Sequence, residues 1–435
     1  MKKILAVLLA AMMTATAFAG CGSGEDASQD DSNASSSTEL KVDGSIVDYS
    51  YFGEEDNVSL KVWAPDKAVS LVQKQVEEFK AAYPEKTFTI EVAAQGESDA
   101  ATQILNDAEV AADVFAFPSD QLNKLVNAGV LAKVAFVDAV KDQHTEVTVE
   151  AGTIDGTLYA YPETNDNGYY LVYDKSVVTD EDAKTLEGTL AACKKAGKKF
   201  IMDCGDGFYS CTFAFTGGAK IDGLEEDGET QKFVDYNEDE VVDTLMAFAR
   251  LIKEYKGTFQ SLNVKQVASG FSSGECAAGV DGSWDTEVNR TALGDNFGAA
   301  KLPTINVNGT DKQLISMFGY KYIGVNGSSK YPASAQILAY YLSGKECQEQ
   351  RVNELGWGPS NKELQESEIV TNDPALQAIS LQAANACPQV NIASTLWSPM
   401  GNLGNKLVSD QWDPEDREAT KALFEETIKN VRDEG

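Results

Sequence analysis

Histidine is nearly missing from this chain: among 435 residues, His144 is the only one. A hydroxyl or thiol nucleophile needs a base beside it, and histidine is the usual one, so Ser-His-Asp and Cys-His chemistry are poor readings. Zinc is disfavoured on the same ground, since no Cys and His fall at metal-ligand spacing. The 7 cysteines are scattered without a CxxC pair. Cys204 and Cys211 are near enough in sequence to bridge, while Cys21 stands apart near the N-terminus. Phosphate-cradling runs of the GxGxxG or GxxxxGK[ST] kind are absent. Neither a metal nor a cofactor is expected. Positive charge is scarce as well: 36 Lys and Arg face 68 Asp and Glu, a formal net charge of −32. Such a field repels phosphate backbones and anionic lipid headgroups, so no nucleic acid is expected as a partner, and ligands should be neutral or cationic. Much of the charge serves as solvated surface. The long apolar run, Ile4 to Ala19, falls short of the ~20 residues that span a membrane.

What is there begins with that run. Lys2 and Lys3 precede it, and it ends Phe18-Ala19-Gly20-Cys21. This resembles a bacterial lipoprotein signal peptide, with Phe18 where Leu is usual. The resemblance implies removal of residues 1–20 and a lipid on Cys21, tethering the protein outside the cell. A plain secretory signal or a short membrane anchor is the alternative. Gly22 to Thr38 contains no large apolar residue. It cannot bury enough surface to offset its ordering entropy, so residues 21–57 are read as the lipidated N-terminus and a disordered tether.

The remaining length exceeds what one core usually serves, so two domains are expected. Ser59–Trp63 alternates as a strand. Val69, Val72, Val76, Phe79 and Tyr83 recur at helical steps across Lys67–Tyr83. A strand over Thr87–Val92, a helix over Ala101–Val110, a buried strand over Asp113–Phe117 and a helix over Ser119–Asn127 follow. A second cycle starts after Pro162, with strands at Gly168–Tyr173 and Lys199–Asp203 and helices at Ala183–Gly197 and Val241–Tyr255. The last helix is expected to begin at Asp413-Pro414, with Leu423, Phe424, Ile428 and Val431 on one face. Alternation of this kind predicts an α/β fold with a mostly parallel sheet and a binding crevice at the strand ends.

Several short stretches carry a resemblance. They are Val62-Trp63 with Asp66-Lys67, Asp113–Phe117 with Asp120, Tyr159–Pro162 before Tyr173-Asp174-Lys175, Phe271 with Gly274–Trp284, Leu302-Pro303-Thr304, and Leu396-Trp397. In this order they resemble the extracellular solute-binding proteins of ABC importers, above all the maltose and maltodextrin binders, from about Leu60 to the C-terminus. The resemblance implies a two-lobed, periplasmic-binding-protein-like flytrap with crossing hinge segments. One lobe would hold residues 58–162 plus 324–368 and the other 167–316 plus 373–435. Hinges would lie near 162–165, 317–323 and 365–372. Met317–Ile323 alternates as a strand, and Gly319 within it suits a hinge. A non-enzymatic monomer is implied, one that captures oligosaccharide and delivers it to an ABC permease in the membrane.

A neutral sugar presents hydroxyls that need donors and acceptors, and C–H faces that need flat apolar partners. Carboxylates and exposed aromatics together suit it. By the same resemblance Trp284 and Trp397 are stacking platforms. Phe117 and Phe208 are further aromatic surfaces, with Tyr209 able to replace Phe208. Asp66 and Lys67 form a first polar pair, though Asp66 could instead cap a helix. Asp120 is a second carboxylate, followed by Gln121 where the maltose binders carry Arg. Glu163 and Asp166 are rivals for one acidic contact. Trp63 is assigned to the scaffold, Trp357 to a rigid turn and His144 to the surface. An extracellular glycoside hydrolase, or a carrier of another cargo such as a different oligosaccharide or a polyamine, is the competing function.

Overall fold

The computed structural model describes residues 45–225, 230–234 and 236–433; Cys21, the leader and most of the expected tether lie outside the described residues. The first cycle comprises β1 (Asn57–Ala64), α1 (Val69–Ala82), β2 (Thr87–Ala94), α2 (Glu97–Asn106) and β3 (Val114–Pro118). Val58, Leu60, Val62 and Ala64 alternate into the core, in one cluster with Val72, Val76 and Phe79 of α1. β1 pairs in parallel with β2 and with β3. The helix expected at Ala101 begins earlier, at Glu97, because Glu97 and Asp99 complement the positive end of its first turn.

A single 14-residue strand follows, β4 (Tyr161–Asp174). The second cycle supplies β5 (Lys199–Met202), α3 (Gly207–Thr216), α4 (Glu238–Glu254), β6 (Phe259–Ser261), β7 (Cys276–Gly282) and β8 (Phe297–Ala300). The chain then returns through β9 (Ser316–Val325) and continues with α5 (Lys345–Leu355), β10 (Ala386–Pro388), α6 (Trp397–Leu407) and α7 (Arg417–Asp433). These ten strands form one sheet in the order β6-β5-β7-β4-β9-β3-β1-β2, with β8 on β4 and β10 on β9.

The sheet is mixed rather than mostly parallel, and β4 and β9 are the reason. The first half of β4 pairs antiparallel with β9, through Tyr161↔Ile323 to Gly168↔Phe318. Its second half pairs antiparallel with β7 and β8. The other side of β9 runs antiparallel to β3. Two strands thus cross between two α/β lobes. The larger apolar cluster gathers Leu171, Phe213, Phe248 and Met400 on one side. Another gathers Val62, Phe79, Ile323 and Leu338 on the other. Because the sheet is continuous, the described residues pack as one unit.

Local corrections have physical causes. The last helix starts at Arg417 rather than at Pro414, since Asp413–Asp416 closes a turn of its own. Asp416 provides the cap, its carboxylate accepting the Ala419 N–H at 2.9 Å. His144 is fully buried, not on the surface. Its Nδ1 lies 2.9 Å from Ser360 Oγ, and burial pushes its pKa down to about 3, so the ring is neutral. Cys204 and Cys211 do not bridge; both are free and buried. Trp357 is buried, and Trp63 packs half-buried on a core cluster.

Candidate functional site

A cavity of about 480 Å³ opens where the end of β3 and the middles of β4 and β9 meet α3, α6 and the turn after β7. One wall is aromatic. Phe208 is the second residue of α3, Trp397 the first of α6, and Trp284 sits in the short helical turn behind β7. Phe208 stands 5.9 Å from Trp284 and 6.3 Å from Trp397 between ring centroids. Tyr169 and Tyr209 back it at 5.0 and 5.5 Å. Asp206 caps α3 by accepting the Phe208 N–H at 2.9 Å. Two glycines set the geometry. A Cβ at Gly207 would lie 2.0 Å from the Trp397 carbonyl oxygen, and one at Gly282 would lie 2.2 Å from the Trp284 ring. Only glycine lets α3 meet α6 so closely, and only glycine lets the Trp284 indole lie on its own strand.

The facing wall is polar. Asn167 Nδ2 donates to Gln389 Oε1 at 2.7 Å, and Gln389 Nε2 donates to Asp120 Oδ1 at 3.0 Å. Gln121 Nε2 donates to Asp120 Oδ2 at 2.6 Å. Burial pushes the Asp120 carboxyl up to about 6, against the lowering effect of the Gln121 bond. Deeper in, Lys321 of β9 places Nζ 2.8 Å from Glu97 Oε2. The aromatic residues offer flat apolar faces, and the amides and carboxylates offer oriented donors and acceptors. That combination can hold a polyhydroxylated ring. A cavity of about 390 Å³ beside Phe318, Val370 and Ile379 has neither an indole nor a carboxylate in its wall. Among the described residues no cluster of His, Cys, Asp and Glu is placed to hold a metal.

Of the nine residues expected from sequence, Asp120, Phe208, Trp284 and Trp397 line this cavity. Lys67 bridges the lobes instead: it forms an ion pair with Asp285, and Nζ lies 3.4 Å from the Trp284 carbonyl oxygen. Asp66 is exposed beside it and caps no helix. Phe117 belongs to the core, because every residue of β3 is buried; its ring packs against Phe115 and Tyr322 at 5.5 and 5.9 Å. Glu163 and Asp166 are both buried outside the cavity wall. Glu163 Oε1 faces Arg351 at 3.1 Å, and Asp166 accepts the Gly358 N–H at 2.6 Å. Sequence reading missed Glu97, Asn167, Lys321 and Gln389. A lysine inside the apolar run Met317–Ile323 was the one available signal, since a charge in a buried strand needs a partner.

The family model for bacterial extracellular solute-binding proteins matches residues 74–378. No curated protein sequence matches the chain. Among solved structures, one determined with acarbose is 26% identical, covers 87% of this chain and 99% of its own, and superposes with a TM-score of 0.78. The ligand-free maltodextrin-binding protein MalE1 of L. casei BL23 is 24% identical over 86% of this chain and 99% of its own, with a TM-score of 0.72. The Thermus thermophilus maltotriose-binding protein, bound with maltotriose, is 20% identical over 86% and 99%, with a TM-score of 0.72. At these identities the last two speak to the fold alone.

Proposed function

The chain belongs to the bacterial extracellular solute-binding proteins, and on that premise we propose that it captures a maltodextrin-type oligosaccharide and delivers it unchanged to an ABC permease. The observation that carries this reading is the cavity with Phe208, Trp284 and Trp397 on one wall and Asp120, Gln121 and Gln389 on the other. A sugar ring stacked on the indoles turns its hydroxyl rim toward the amide and carboxylate chain. Ligand touching both lobes stabilises the closed state of an open–closed equilibrium. Bending belongs near 162–165 and 317–323, within the two crossing strands, with a third flexible point near 365–372. Attachment through a lipid on Cys21 keeps the protein near its importer; intact mass of the mature N-terminus tests that part.

Calorimetry decides the cargo. Maltotriose and longer glucans are expected to bind, and a polyamine such as spermidine is not. Heat from spermidine alone would overturn the sugar reading. Prolonged incubation with maltotriose, followed by chromatography, is expected to return it intact; shorter products would favour a hydrolase.

A further inference from the structure

Lys321 sits mid-strand in β9 and is almost fully buried, yet its side chain reaches the cavity wall. A buried ammonium is costly unless paired. Its partner is Glu97, the first residue of α2, at 2.8 Å. That contact takes one of the three N–H donors of an ammonium. Nζ also lies 5.6 Å from the Trp284 ring centroid and 4.6 Å from that of Trp357. The second carboxylate oxygen, Glu97 Oε1, is buried and has no hydrogen-bond partner. The contrast with Asp120 is direct, since both Asp120 oxygens are already engaged by Gln121 and Gln389. An unpaired buried acceptor beside an ammonium with donors to spare is a polar site that lacks its ligand.

Resting on the sugar reading above, we propose that Glu97 and Lys321 form a donor–acceptor clamp that grips two adjacent hydroxyls of one sugar ring and so selects the cargo by its hydroxyl arrangement. One hydroxyl donates to Glu97 Oε1, and its neighbour accepts from an Nζ–H of Lys321. The same ring then rests a C–H face near Trp284. Both bonds are charge-assisted. A ring that lacks one of these hydroxyls, or turns it away, leaves a charged group unsatisfied, so discrimination is steep.

The test is calorimetry with maltotriose and its series of monodeoxy analogues, on the wild type, Glu97→Gln and Lys321→Met. In the wild type at least one analogue is expected to bind roughly tenfold more weakly than maltotriose. In each variant maltotriose should weaken by a similar factor, and that analogue should no longer be disfavoured. Lys321→Met leaves Glu97 without its cation, so melting temperatures are compared; Glu97→Gln preserves the shape and carries the test if Lys321→Met does not fold. Folded variants that retain the wild-type preference, or that lose affinity equally across the series, overturn the clamp while leaving the sugar reading standing. A wild type that gives no heat with any member of the series overturns both.

Discussion

Trp284 is fixed by groups from three separate parts of the chain. Its ring lies on Gly282, its carbonyl oxygen meets Lys67, and Lys321 sits over its face. If the ring is a binding platform, Trp284→Ala should weaken maltotriose by ~2 kcal/mol or more, as central aromatic anchors do. Gly282→Ala makes a sharper test. It removes no lining side chain but forces the Trp284 indole off its seat, so affinity should fall with little change in melting temperature. Unaltered affinity in that variant would mean the ring position does not matter to binding. At this scale the sequence was informative where a residue's surroundings were local. Trp284 and Trp397 stand in turn-like contexts that keep them from the core. Phe117 is the last residue but one of a strand buried along its whole length, and nothing nearby in sequence distinguishes a strand end facing a cleft from one facing a helix. Gln389 is invisible for another reason: its role depends on Asn167 and Asp120, far away in the chain.

Elements were legible when their period was clean. β1, β2, β5 and α1 lie where alternation or the helical repeat places them. Ends were harder, because caps and competing turns decide them. For α7, the Asp413–Asp416 turn uses the proline and postpones the helix. Asp416→Ala should therefore lower stability by about 1 kcal/mol, read as a shift in urea midpoint at constant slope, while Asp413→Ala should cost less. Equal effects would return the cap to Asp413. The first half of β4 was hidden by its composition. Tyr161-Pro-Glu-Thr-Asn-Asp-Asn167 is a polar stretch, yet β9 pairs with its backbone, Arg351 faces the Glu163 carboxylate and the Gly358 N–H donates to Asp166. Tertiary partners made a strand from residues that propensity alone would leave irregular.

Over the whole molecule, acidity has a measurable cost. Burial pushes Asp281 from 3.8 up to about 7 and Asp120 from 3.8 up to about 6. The unfolded chain loses these protons first as pH rises, and the folded protein keeps them longer. Their contribution to stability is therefore complete below 3.8 and is lost as pH rises through about 6 to 7. The melting temperature should fall between pH 5 and pH 7.5, and Asp281→Asn should flatten that slope; an identical slope would remove Asp281 as a cause. Closure has its own test. Lys67, just beyond β1, pairs with Asp285, just beyond β7. Asp285 is buried and Lys67 is partly exposed, so the pair should favour whichever arrangement of the lobes keeps it formed. Lys67→Ala should enlarge the ligand-free radius of gyration in small-angle scattering and leave the sugar-bound value unchanged. Equal radii with and without the substitution would show that the pair holds nothing shut.

The crossing strands have a further consequence, for the order in which the protein can form. β9 lies between β3 and β4 in the sheet, and every strand of the first lobe reaches β4 only through it. Synthesis delivers β1, β2, β3 and β4 well before the strand that joins them. Until residues 316–325 have emerged, the first lobe has an open edge at β3. Sheets joined by such distant pairs close slowly, so the docking of β9 between β3 and β4 is expected to be the late step that unites the two halves of the sheet.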